Sequence, residues 1–323
     1  MISNDTTSMG DIRKYFNWRN HTTLVGFLAL FLLASIIGWP HFLKSRNLIT
    51  LLRQISYTGI ISLGMTLVII SGGFDLSVGS MTAFAGGVAI FAMNSFGPGS
   101  SMGVAAGILT ALIFATFLGS LNGFLITKWR IAPFIATLGT MSIYRSLVIY
   151  IAQAGNIESI NMSYGIIGSG SVLGLPVPVW MFFIIAGVLH VFLNHTRTGR
   201  YICAVGDNEQ VARYSAININ LIRFIPYAIT GFTVGVSALL WSSRLNCVNP
   251  SDCSGYELDA IAAVVIGGTP MTGGRGSIIG TVLGAIMLGI INNMLVLAGV
   301  SSYLQLAAKG VVIIVAVLLQ YKK

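Results

Sequence analysis

Charge is scarce in this sequence. Of its 323 residues only 8% are charged, 18 basic and 9 acidic, against about 25% in an ordinary soluble domain. A soluble globular enzyme would lack the charge to cover its surface. Cysteine is scarcer still. Three Cys exclude a disulfide framework and a Cys-rich metal centre, and the four His are scattered, with no HExxH pair. No GxxxxGK[ST] run occurs, so no phosphate-cradling loop of that kind is present. No Ser/His/Asp or Cys/His spacing stands out. What is abundant is apolar: 55% hydrophobic residues and 38 Gly. That composition excludes disorder, which needs low hydrophobicity. It points to an all-α polytopic membrane protein with little mass outside the bilayer.

A crossing helix needs about 20 mainly apolar residues. Such runs occur at residues 22–39, 55–71, 77–96, 101–127, 133–152, 177–193, 224–243, 277–298 and 301–321. A shorter run at 260–271 is broken by Gly267-Gly268 and Gly273-Gly274, and is expected to be a tilted or partly unwound segment among other helices. The Gly/Ser/Asn-rich stretch 153–176 reads as a loop. Residues 1–21 form a polar N-terminal segment without the features of a cleaved signal peptide. Residues 22–323 form one transmembrane domain.

The basic residues orient it. With ten spans and the N-terminus inside, Arg13, Lys14, Arg19, Lys128, Arg130, Arg197, Arg200, Arg213, Arg223, Arg275, Lys322 and Lys323 fall on the cytoplasmic side, against Lys44, Arg46 and Arg244 outside. This positive-inside bias favours ten spans over nine and cytoplasmic termini. It also explains the net charge of +9 without a nucleic-acid partner, because no basic soluble domain exists to bind one.

None of the nine acids lies in the middle of a span, so an ion-coupled carrier lacks its usual site. Asp75 follows Gly72-Gly73 and suits an N-cap for the third helix, or a hinge or gate together with Gly72, Gly73, Gly267 and Gly268. Arg145 lies inside a span, where charge is costly and usually faces a bundle interior. Asn122, Asn292, Asn293 and Gln305 are neutral polar groups in or near spans, suited to interhelical hydrogen bonds or to a pathway for a hydroxyl-rich solute. Cys247 and Cys253 share an outer loop whose oxidising surroundings permit a disulfide, although so short a spacing can refuse the geometry. Small residues four apart, Gly103/Gly107, Gly119/Gly123, Gly231/Gly235 and Gly280/Gly284, predict close helix packing within one subunit.

The longest charged stretch, residues 196–223, is cytoplasmic in this topology. Gly206-Asp207-Asn208 reads as a helix start, Glu209 falls in its first turn, and Glu209 and Arg213 are four apart in the favourable order. A placed surface helix on a protein with so little extramembrane mass suggests a docking site for a cytoplasmic partner.

These residues carry a resemblance. GGFDLSVGS (72–80), PFIATL (133–138), TRTGRY (196–201) with GDNE (206–209), GYELDAIAAVVIGGT (255–269) and GVSSY (299–303) resemble the permease subunits of ribose-type monosaccharide ABC importers, over about residues 47–323. Phe74, Asp207 and Ala216 depart from that family's usual Ile, Gly and Gly, and the Cys247/Cys253 pair is also unlike it. The resemblance implies a multi-pass protein of the bacterial inner membrane with a type II ABC importer-like fold, no cofactor and no catalytic residues. It implies three protein partners: a tandem ATP-binding subunit inside, a periplasmic sugar-binding protein outside, and a second permease, identical or sister. Gly206, Asp207, Asn208, Glu209 and Arg213 then correspond to the ATPase-coupling helix. The alternatives are an ABC permease for a nucleoside, a signalling furanose or a branched-chain amino acid, or a stand-alone carrier.

Overall fold

The computed structural model describes residues 18–301, 304–305, 307–311 and 314. In chain order the helices are α1 Trp18–Ile37, α2 Ser45–Ile70, α3 Val78–Asn94, α4 Ser101–Lys128, α5 Pro133–Ile151, α6 Gly165–Ser169, α7 Val177–His195, α8 Arg197–Asp207, α9 Glu209–Tyr214, α10 Ile219–Leu245, α11 Tyr256–Ile266 and α12 Ile278–Leu297. Six of these, α2, α4, α5, α7, α10 and α12, are long and apolar enough to cross a membrane; α3 and the apolar part of α1 are somewhat shorter. Most of the expected last span lies outside the described residues.

Helix α2 is the axis of the bundle. Every residue from Gly59 to Ser71 is buried, as expected of a helix that is apolar all round. It packs on α10, α12, α7 and α11, while α10 packs on α4 and α3. Helices α4, α5, α7 and α12 each leave a broad face open, with Ile113, Phe117, Ile135 and Val188 all more than half exposed. Apolar faces of that extent would aggregate in water; facing lipid they are at home.

Glycine decides how closely α4 and α10 approach. A Cβ on Gly231 would lie 2.5 Å from the Ala115 carbonyl oxygen, and one on Gly119 would lie 2.7 Å from Gly231 Cα. All four Gly pairs read from the sequence meet neighbours of the same chain. Hydroxyls bonded to the preceding turn remain compatible with such packing. Thr66 and Thr281 join α2 to α12 at 2.7 Å, and the Ser237 hydroxyl donates to the Tyr57 carbonyl at 2.9 Å. Gly231→Leu should therefore destabilise the bundle by about 1–3 kcal/mol through overpacking. A thermal melt in detergent should show a lower Tm, and an unchanged Tm would contradict this contact.

Two sequence expectations change, and a third is met. Helix α2 begins at Ser45 rather than near residue 55, because the polar residues Arg46, Arg53 and Gln54 sit on the half-open side of its first turns and mask the helix. The stretch 153–176 is not one loop. It holds β1 (Ile157–Glu158), a 3₁₀ turn (Met162–Tyr164), α6, and a hairpin of β2 (Ser171–Val172) and β3 (Leu175–Pro176). Strand β1 pairs antiparallel with β4 (Cys247–Val248), tying this stretch to the segment after α10. Finally, α11 has 11 residues, about 16 Å at 1.5 Å per residue, half the roughly 30 Å hydrocarbon core. The helix is too short to span alone and is followed directly by Gly267 and Gly268, as the broken run at 260–271 predicts.

Candidate functional site

The charged stretch forms two helices where the sequence suggests one. Thr196 caps α8 by accepting from the Gly199 N–H at 3.0 Å, and also donates to the Phe192 carbonyl. Gly206 and Asp207 thus end α8 instead of starting a helix. Asn208 is the N-cap of α9, its Oδ1 accepting from Gln210 N–H at 3.0 Å and Val211 N–H at 3.1 Å. Glu209 pairs with Arg213 at 2.8 Å, as its spacing predicts, and with Arg223 of α10 at 2.9 Å. The second pair was not legible locally, because its partner lies in the next helix. These surface pairs position α9 more than they stabilise it. Val211 and Tyr214 stand 58% and 88% exposed.

Beneath this unit, three backbone segments meet at the end of α2. A Cβ on Gly206 would lie 1.8 Å from the Ile70 carbonyl oxygen. That same oxygen accepts from the Gly274 N–H at 2.9 Å, and Asp207 packs on Gly274. Gly273 in turn lies against Gly72. So α8 rests directly on the C-terminus of the axial helix and on the Gly-rich segment after α11. Of the four hinge glycines proposed from sequence, Gly72 and Gly268 have positive φ, at 83° and 91°. Gly73 lies under the Tyr227 hydroxyl, and Gly267 packs on Gly280. A cavity of about 340 Å³ opens beside this junction, lined among others by Gly72, Gly73, Arg130, Glu209, Arg223 and Tyr227.

Asp75 is wholly buried next to the same junction. Its Oδ1 accepts from the Ser77 N–H at 2.9 Å and the Ser77 hydroxyl at 2.6 Å. Asn122 Nδ2 donates to both carboxylate oxygens, at 3.3 and 3.2 Å, and to Ser77 Oγ at 2.8 Å. Ser77, not Asp75, holds the N-cap position of α3, and its hydroxyl turns to Asp75 rather than to the helix. Asp75 closes the turn before it and ties that turn to α4, while the Tyr227 hydroxyl donates to the Phe74 carbonyl at 3.2 Å and ties it to α10. Asn122 therefore has an interhelical role here.

The remaining polar candidates scatter. Arg145 donates to the Pro250 and Asp252 carbonyls and pins α5 to the segment between α10 and α11. Asn293 and Asn47 exchange amide hydrogen bonds at 2.9 and 3.0 Å, clasping α12 to α2. Gln305 donates to the Val300 carbonyl. Asn292 lines a cavity of about 240 Å³ between α2, α10, α11 and α12, at the end of the bundle opposite α8 and α9. There Lys309 pairs with Asp259 of α11 at 3.0 Å.

Cys247 and Cys253 are free thiols, the first half-buried and the second buried. Burial is the first cause that raises both thiols above their usual range, Cys253 well above it, so both stay protonated and slow to oxidise. A membrane-impermeant maleimide should label Cys247 and spare Cys253 in the folded protein. Equal labelling of both would contradict this burial.

Residues 47–317 match the family described as branched-chain amino acid transport system / permease component. The chain is 39% identical to the ribose import permease protein of Escherichia coli strain K12, over 98% of this chain and 99% of that protein. It is 41% identical to the ribose import permease protein of Bacillus subtilis strain 168, over 92% of each. It is 32% identical to the L-arabinose transport system permease protein of Escherichia coli, over 100% and 98%. No solved structure matches it significantly. With a family model matched over most of its length and relatives at 39% and 41% identity over nearly the whole chain, the chain belongs to this family of permease components, the non-enzymatic membrane subunits of ABC importers.

Proposed function

We propose that this protein is the membrane permease of an ATP-driven importer for ribose or a closely similar monosaccharide. The observation that carries the reading is the seat of α8 and α9 on the Ile70 carbonyl and the Gly-rich segment. A cytoplasmic ATPase that grips α9 through Val211 and Tyr214 moves α8, and α8 has no slack against the axial helix. The positive-inside bias supports a cytoplasmic position for this end and for both termini, in a bacterial inner membrane. A tandem ATP-binding subunit docks there. A periplasmic sugar-binding protein delivers substrate at the opposite end, and two permease subunits, identical or sister, enclose the pathway. Closure of the ATPase draws the coupling helices together, and the segments hinged at Gly72 and Gly268 change the side to which the pathway opens. The ribose relatives support the substrate, and the more distant arabinose relative supports the wider class.

The test is growth. Expressed with its cognate ATPase and binding protein in a strain lacking its own ribose permease, the protein should restore growth on low ribose. Restoration only on L-arabinose would revise the sugar, and restoration only of leucine uptake would overturn the class.

A further inference from the structure

We propose that the pocket between α2, α10, α11 and α12 is a binding site for one neutral monosaccharide ring within a single permease subunit. The inference rests on the transport function proposed above. Three aromatic side chains form its wall. The rings of Tyr57 and Trp241 meet edge to face with centroids 5.3 Å apart, and those of Trp241 and Tyr256 do the same at 6.0 Å. All three line the cavity of about 240 Å³, with Arg244, Asp259 and Asn292. They come from helices that pack for other reasons, yet they converge at one place.

The hydrogen bonding of this wall is incomplete. The Trp241 indole N–H and the Asn292 Oδ1 are buried and without a partner, while the Tyr57 hydroxyl lies beside the Arg244 guanidinium. Buried polar groups are nearly always partnered, because leaving one alone carries the full cost of its desolvation. The unmet set comprises an indole donor and an amide acceptor. A sugar ring supplies the complement. Its hydroxyls donate and accept, and its C–H faces lie against aromatic rings.

Charge narrows the ligand further. Asp259 is already paired with Lys309 at 3.0 Å. A zwitterionic amino acid needs a carboxylate for its ammonium group, and the one carboxylate lining this cavity is occupied. Arg244, which makes no ion pair among the described residues, donates as readily to a hydroxyl oxygen. A neutral hydroxyl-rich solute therefore fits where an amino acid does not. The pocket lies at the end of the bundle opposite α8 and α9, where a solute enters before it crosses.

The test uses the importer assembled in proteoliposomes with its ATPase and binding protein. Trp241→Phe keeps the ring and removes the donor, and Asn292→Leu removes the acceptor. Each should lower the ribose moved per ATP hydrolysed about tenfold, as expected where a site built for hydroxyls loses a partner. A second measurement stands if either variant misfolds. Asn292→Cys, in a protein whose Cys203, Cys247 and Cys253 are Ser, should react with a charged thiosulfonate reagent, and D-ribose should slow that reaction several-fold while L-leucine does not. If the wild-type importer moves ribose but the variants move as much per ATP, or ribose gives no protection, or leucine alone protects, the site is overturned and the transport function stands. If the wild-type importer moves no monosaccharide, the transport reading fails and this site falls with it.

Discussion

Replacing Val211 with Asp and Tyr214 with Ala together should abolish ATP-driven uptake and release the ATP-binding subunit from the complex. Both side chains are apolar or aromatic, stand in water, and sit on a six-residue helix held by its Asn208 cap and by two ion pairs of Glu209. A large exposed ring on a rigid, otherwise polar element is the kind of anchor that carries binding energy at an interface. Each substitution should remove on the order of 2 kcal/mol of docking energy. Together that weakens the complex by a factor on the order of 1,000. Neither residue packs inside the permease, so membrane insertion and the detergent melt should be unaffected. Co-purification of the ATPase with the double variant, at wild-type stoichiometry, would remove α9 as the docking element.

Gly206→Val separates docking from transmission. Its Cβ would lie 1.8 Å from the Ile70 carbonyl oxygen, and that oxygen is held in place by the Gly274 N–H. No side-chain adjustment relieves a clash between two backbones, so α8 must lift off the axial helix. Overpacking of this kind costs about 1–3 kcal/mol, enough to shift α8 without unfolding a bundle whose core lies elsewhere. Val211 and Tyr214 remain exposed, so the ATPase should still bind. Uptake should fall below roughly a tenth of the wild-type rate, since a factor of ten corresponds to only about 1.4 kcal/mol. Normal uptake in Gly206→Val would mean that the contact between α8 and Ile70 does not transmit the ATPase movement.

The long spans were legible because lipid imposes a simple rule on their length and polarity. Ser101, Pro133 and Val177 start helices where the sequence places them. The rule failed where polar residues occupy a helix that is only partly covered, as at Arg46 and Gln54 of α2, and where two caps lie close together, as at Thr196 and Asn208. Asp75 and Asn122 were each legible as polar groups in an apolar setting. Their hydrogen bonds to each other were not, because 47 residues separate them. The glycines of the coupling junction were legible singly, as breaks or hinge candidates, but not as one contact. Gly206 matters through Ile70, and nothing local to either residue records that contact. The aromatic pocket was the least legible feature. Nothing in the sequence singles out Tyr57 or Trp241, and only three-dimensional convergence makes them, with Tyr256, a wall.

This permease should move a monosaccharide only when an ATPase acts on α8 and α9. Uptake of labelled D-ribose into proteoliposomes holding the permease, its ATP-binding subunit and the binding protein, with and without ATP at the ATPase face, tests it most directly. Ribose should accumulate against a gradient with ATP and show no flux without it. Ribose equilibrating through the permease alone, at the same rate with or without ATP, would contradict it.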